Sequence, residues 1–232
     1  MAGAAYHGLN KGAELLLMQS EVQADSLDID GRTLLSWSMG RGHNRVVKLL
    51  LAQKDVNPNI PDNDGKTSLF WATHRAYKGA MRLLLDHSHT NPNIPNPSGV
   101  AQLLLAVKCQ DNGLAKMLLA HEKINPNITD HYGRTPCTLA VYFRIHRVFQ
   151  VLLEYANINM EISDNDGRMA VSLAAVTGDS RLMRLLISPK DAHPNKTDNN
   201  GKTPLIEAAE SGNDSMIEIL LQRDKIILGV SC

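Results

Sequence analysis
A chain of 232 residues with 43% hydrophobic and 21% charged residues has the balance of a packed globular protein rather than a disordered one. Its 24 Lys and Arg cancel 24 Asp and Glu, and no basic run stands out, so no electrostatic footprint for nucleic acid is present. No apolar run approaches the roughly 18 residues of a membrane helix, the start "MAGAAYHGLNKG" lacks a signal-peptide pattern, and Cys109, Cys137 and Cys232 form no C-x-x-C pair. The expectation is a soluble, cytoplasmic chain, with the nucleus left open, and no nucleic acid or membrane as partner.

In chain order, "AAYHGLNKGAELLLM" reads as the end of one helix, a turn at Gly8 and a second helix through Leu15 to Leu17. Then the turn "DIDGRT" begins a series. Gly31, Gly65, Gly99, Gly133, Gly167 and Gly201 follow one another at 34 residues without insertion or deletion. Paired leucines keep the same register at 49–51, 83–85, 118–119, 152–153, 185–186 and 220–221. The implied organisation is a partial N-terminal repeat over 1–27, then repeats over 28–61, 62–95, 96–129, 130–163, 164–197 and 198–232. Because the chain starts inside a repeat and "KIILGVSC" stands where another linker belongs, it reads as a fragment or a shortened array whose apolar ends favour association.

Each unit can be built from its residues. Asp-x-x-Gly is a turn in which Asp bonds back to the backbone and Gly takes positive φ; Thr then caps a helix, with Pro at its first position where present. That first helix carries small and large apolar residues together, such as Leu69 and Ala72, suited to close helix packing. Gly42, Gly178 and Gly212 break it, and a second helix runs through stretches such as "NRVVKLLLA" or "SRLMRLLIS" before an "NPNI" link. In the central units the breaking glycine is replaced by Ala76, Gln110 and Arg144, and the capping Thr is lost at Ala101 and Met169. Functional divergence and neutral drift both account for these departures.

The stretches "DHYGRTPCTLA" and "DNNGKTPLIEAAESGN" resemble the ankyrin repeat, whose signature is T-P-L-H-x-A after a glycine turn. The resemblance covers nearly the whole chain, and "DGRTLLSWSMGRGHNRVVKLLL" with its "NPNI" linker is similar to arrays in fungal NLR-like multidomain proteins. It implies an all-α ankyrin-repeat solenoid of stacked helix-turn-helix units with protruding turns. Two departures stand out: the units are 34 residues long, and Ser36, Phe70, Leu104, Thr138, Ser172 and Ile206 replace the signature His, which removes its usual hydrogen bonds at the helix start.

The resemblance further implies a partner-facing groove formed by turn tips and first-helix ends. On those positions the central units carry His74, Arg75, Tyr77 and Lys108, then His131, Tyr132, Arg134, Tyr142, Phe143 and Arg144. Aromatic and Arg side chains dominate interface hot spots, so these ten residues are the candidate partner-binding set. The alternative for Tyr142 or Phe143 is burial against the next helix pair. "DHSH" at 86–89 has metal-like spacing, but lies in a linker without supporting ligands, and the Asp pairs of the turns have a backbone role. No phosphate loop, G-x-S-x-G elbow or H-E-x-x-H helix appears. The expectation is therefore a non-enzymatic protein-binding module with no cofactor, no metal and no small-molecule substrate. A structural spacer or a lid acting in cis on a neighbouring domain is the alternative.

Overall fold
The computed structural model describes residues 23–155, 157–188 and 194–222. The expected partial repeat therefore lies outside the described residues up to residue 22, as does the C-terminal "KIILGVSC". The described residues are all-helical, with no strand among them. They belong to two compact units, Met1–Asn125 and Pro126–Cys232.

In the first unit, α1 (Leu34–Arg41), α3 (Ser68–His74) and α5 (Gln102–Lys108) pack in sequence as first helices, and α2 (Asn44–Leu51), α4 (Lys78–Leu85) and α6 (Asn112–Leu119) line up as second helices. The second unit repeats this with α7 (Pro136–Tyr142), α8 (His146–Leu153), α9 (Ala170–Thr177), α10 (Ser180–Ile187), α11 (Pro204–Glu210) and α12 (Asp214–Leu221). The helices are only two turns long, below the length at which an isolated helix is stable, so packing must supply their stability. Internal first helices are buried nearly all round, as Gln102 to Val107 of α5 show, but α11 buries only Pro204, Glu207 and Ala208; second helices bury one stripe, Val46, Val47 and Leu50 in α2.

Capping follows the sequence. Thr33, Thr67, Thr135 and Thr203 each accept a hydrogen bond from the backbone N–H three residues on, while Ala101 and Met169 offer none. Each missing cap costs about 1 kcal/mol. Where the signature His is absent, Ser36 and Thr138 turn their hydroxyls back to donate to the carbonyls of Thr33 and Thr135 at 2.9 and 3.0 Å, so part of the helix-start bonding survives by another route. Among second helices, α6, α10 and α12 are capped by Asp111, Asp179 and Asn213, while α2, α4 and α8 have no side-chain cap. Asp111 and Asp179 also pair with Lys78 Nζ at 3.1 Å and His146 Nε2 at 2.8 Å.

The breaks between helices explain the glycine pattern. Gly42 and Gly178 are left-handed, and Ala76, Gln110 and Arg144 hold the same conformation with φ of 56° despite a side chain. The left-handed region costs a non-glycine residue about 1–2 kcal/mol, which neighbouring packing must offset.

The "NPN" linkers carry a bonding role that sequence reasoning did not foresee. Asn59 donates Nδ2–H to the His89 carbonyl at 2.7 Å and accepts from Asn91 N–H at 2.8 Å. Asn93 does the same with Lys123 and Asn125, and Asn127 with Asn157 and Asn159. Each second Asn is thus a bridge to the following linker, satisfying backbone groups that no helix or strand would pair.

Candidate partner-binding surface
The surface is made by turns and by the ends of first helices, and one carboxylate organises each described turn except that at Gly99, where Asn96 stands instead. Oδ1 of Asp28, Asp62, Asp130, Asp164 and Asp198 accepts backbone N–H groups two and four residues on, between 2.8 and 3.1 Å. The glycine that follows is left-handed, as at Gly133 with φ +73°. Successive tips are tied together where the chain permits: Asn63 N–H donates to the Asp30 carbonyl at 3.0 Å and Asn165 N–H to that of Tyr132 at 2.9 Å. Pro97 stands at the position of Asn63 in the next turn and has no N–H to give.

The second carboxylate oxygen is held in two ways in four of these turns, and in the fifth Asp198 Oδ2 accepts from Asn200 Nδ2 at 3.4 Å. Trp37 Nε1–H donates to Asp28 Oδ2 at 2.6 Å, and Trp71 Nε1–H to Asp62 Oδ2 at 2.9 Å. In the second unit Leu139 and Leu173 replace the indoles, and Arg134 and Arg168 instead grip Asp130 Oδ2 and Asp164 Oδ2 through Nε and Nη2, at 3.0 and 2.8 Å and at 3.1 and 2.9 Å. Burial opposes ionisation of Asp130, yet the Arg134 side chain and the N–H groups of Arg134 and Tyr132 outweigh it and hold the carboxyl below its usual range. Burial of Asp28 is likewise outweighed, by Trp37 and the N–H groups of Arg32 and Asp30.

Of the candidate set, Tyr132, Arg134, Tyr142 and Phe143 come together. The Arg134 guanidinium, fixed by Asp130, lies 4.4 Å over the Tyr132 ring and 5.8 Å from that of Tyr142. Tyr142 and Phe143 meet edge to face with centroids 5.1 Å apart. All three rings are substantially exposed, Tyr132 at 65%, Tyr142 at 46% and Phe143 at 47%, so neither Tyr142 nor Phe143 takes the buried alternative. His131 is exposed beside them and its carbonyl accepts from Asn165. Arg144 is exposed and reaches the Thr177 carbonyl.

In the first unit, His74 stacks on Phe70 with centroids 6.0 Å apart, and Arg75 is exposed and forms no ion pair among the described residues. Tyr77 packs its ring over Gly42, where a Cβ would stand 2.9 Å from the ring. Lys108 is exposed at the end of α5.

Sequence reasoning missed the feature next to them. Arg32 has its guanidinium 4.7 Å from the Trp37 ring and 4.5 Å from the Trp71 ring, a cation held between two indoles. Together with Arg75 and Tyr77 these side chains line an open cavity of about 470 Å³. The available signal was that the chain's two tryptophans lie 34 residues apart in equivalent positions.

Neither of the two described cysteines is set up as a nucleophile. Burial pushes the Cys137 thiol up to about 12, far from the thiolate a nucleophile needs. Burial also raises the Cys109 thiol, with Asp111 adding to it. Among the described residues no three His, Cys, Asp or Glu side chains are grouped so as to hold a metal, and no helix is long and apolar enough to cross a membrane.

Comparison with known proteins agrees with this architecture. The family profile "Ankyrin repeats (3 copies)" matches residues 1–96, 76–164 and 157–228, and the chain belongs to the ankyrin-repeat family. The ankyrin repeat domain of Bcl-3, a member of the IκB protein family, is 23% identical with a TM-score of 0.85, over 95% of this chain and 96% of that one. EF0377, an ankyrin repeat protein, is 20% identical with a TM-score of 0.76, over 88% of this chain and 100% of that one. No curated protein sequence matches significantly. Ankyrin repeats are generally protein–protein interaction modules, and proteins of this fold are typically non-catalytic.

Proposed function
We propose that the chain is a non-catalytic binding module that docks a protein partner along the turn tips and first-helix ends of its ankyrin array. The observation that carries this is the exposed cluster of Tyr132, Tyr142 and Phe143, held by an arginine that is itself anchored to Asp130. Large rings fixed in place before binding lose little rotamer freedom on contact, which is what an interface centre requires. Of the other candidates, His131 and Arg144 supply polar groups in the same unit, while His74, Arg75, Tyr77 and Lys108 are the proposed contact residues of the first unit.

The test is an affinity capture from source cells with the native chain and with a Tyr132→Ala, Tyr142→Ala, Phe143→Ala variant whose helical circular dichroism is unchanged. A protein retained by the native chain and lost by the variant supports the reading. Equal retention would remove the aromatic cluster from the site, and capture of nothing specific would favour a spacer or in-cis role.

A further inference from the structure
We infer that the cavity between Trp37 and Trp71 is a second recognition site, one that takes a carboxylate-bearing acidic segment of a protein partner. The inference deepens the binding reading above by giving the partner a chemistry.

The cavity's lining contains three arginines, Arg32, Arg41 and Arg75, and no acidic residue. Arg32 is the organising group. In the second unit the equivalent arginines spend Nε and Nη2 on the turn carboxylate, but here the indoles hold Asp28 and Asp62, and Arg32 only approaches Asp62 Oδ2, at 3.6 Å. Its Nε is buried facing Asp62 beyond hydrogen-bond distance, and its terminal amino groups make no hydrogen bond among the described residues. A guanidinium lying against two rings, with its terminal amino groups uncommitted, offers a carboxylate a cation with hydrogen-bond donors.

The opening itself is unusual within the repeat pattern. Gly40 lines the cavity, whereas the positions 34 residues apart hold His74, Lys108, Tyr142, Val176 and Glu210. A Cβ on Gly40 would meet Trp71 only at an ordinary 3.6 Å, so glycine is not there to avoid a clash and its effect is to leave the space open. At about 470 Å³ the space exceeds one carboxylate and suits an acidic side chain with apolar neighbours lying on Trp37, Trp71 and Tyr77.

The site carries its own probe, because Trp37 and Trp71 are the chain's two tryptophans and both line the cavity. The experiment follows tryptophan fluorescence of the whole chain while titrating a capped octapeptide of alternating glutamate and leucine, the same peptide with glutamine for glutamate, and inorganic phosphate. A saturable change with the glutamate peptide is expected, weakened by salt and weakened about tenfold or more in Arg75→Gln and in Gly40→His. Gly40→His copies His74 at the equivalent position and, in a titration run at about pH 8 where an ordinary imidazole is neutral, fills the cavity without adding charge. Equal binding of the glutamine peptide, saturation by phosphate without response to the peptide, or full binding by both variants would each overturn the assignment. Failure here together with loss of a captured partner in the Tyr132/Tyr142/Phe143 variant would sink this pocket and leave the binding module standing.

Discussion
The turns at Asp62 and Asp130 do the same job with different chemistry. Both bind two backbone N–H groups through Oδ1, but Asp62 gives its other oxygen to an indole nine residues on, and Asp130 gives it to a guanidinium four residues on. A third turn shows the rule by its absence. Asn96 keeps both backbone bonds, has no second carboxylate oxygen, and is accompanied by neither cation nor indole: Val100 and Leu105 stand in those places. A buried carboxylate oxygen needs a donor, and whichever residue supplies it decides what the other is free to do. With tryptophan as donor, Arg32 is released to stack and to face a cavity; with arginine as donor, the cation is consumed and instead seats Tyr132.

The largest effect that would sharpen this comparison is collective. Asp28, Asp130 and Asp198 in the turns and Asp111 and Asp179 at the helix caps are all held below their usual range. For Asp198 the leading cause is the Lys202 N–H; for Asp111 and Asp179 burial opposes ionisation but is outweighed, chiefly by the N–H groups of Leu114 and Leu182. Folded values lie below unfolded ones, so the stabilisation is complete at neutral pH, and below about pH 4 the unfolded chain binds protons first. Urea unfolding at stepped pH should show stability falling from that point downward; a flat profile between pH 5 and 3 would contradict the carboxylate account.

Next in size is an exchange of one clamp for the other. Trp71→Leu, the residue found at positions 105, 139 and 173, should cost about 3 kcal/mol through lost packing and an orphaned Asp62 oxygen. Adding Lys66→Arg to that variant should restore about 1 kcal/mol by the Arg134 geometry. If the double variant unfolds at the same urea concentration as Trp71→Leu alone, the two clamps are not interchangeable.

Asp130→Asn leaves Oδ1 in place and removes the charge facing Arg134, for an expected loss of about 2 kcal/mol. It should also loosen Tyr132, visible as broadened ring resonances by NMR. Smallest are Ala76→Gly and Gln110→Gly, which relieve left-handed backbone and should each raise stability by about 1 kcal/mol. Arg144→Gly should gain less, since it also gives up the bond to Thr177, and an equal gain at all three positions would show that bond to be without weight.

Much of the fold was legible because ankyrin-type packing is periodic. Thr33, Thr67, Thr135 and Thr203 announced their helices, Ala101 and Met169 announced uncapped ones, and the substitutions at 76, 110 and 144 marked strained turns. The candidate surface was legible only in part. Tyr132, Tyr142 and Phe143 could be placed by register, but whether they faced solvent or a neighbour depended on the volume available beside them. Arg134 looked like a free contact residue and is bound to Asp130, while Arg32, a groove position by register that was left out of the candidate set, lies against two rings. The bridging role of Asn59, Asn93 and Asn127 was hidden because its partners lie about thirty residues away in the chain.

By itself the sequence determined the repeat, the turns, the caps and the succession of helices, since those depend on residues within a few positions of one another and recur at a fixed interval. The tertiary structure decided which donor each buried carboxylate oxygen found, and so which arginines were consumed and which remained available. The choice lies between a residue four positions on and one nine positions on in the same repeat, but its consequence, Arg32 lying against the Trp71 ring of the next repeat, joins residues that periodicity along the chain does not bring together.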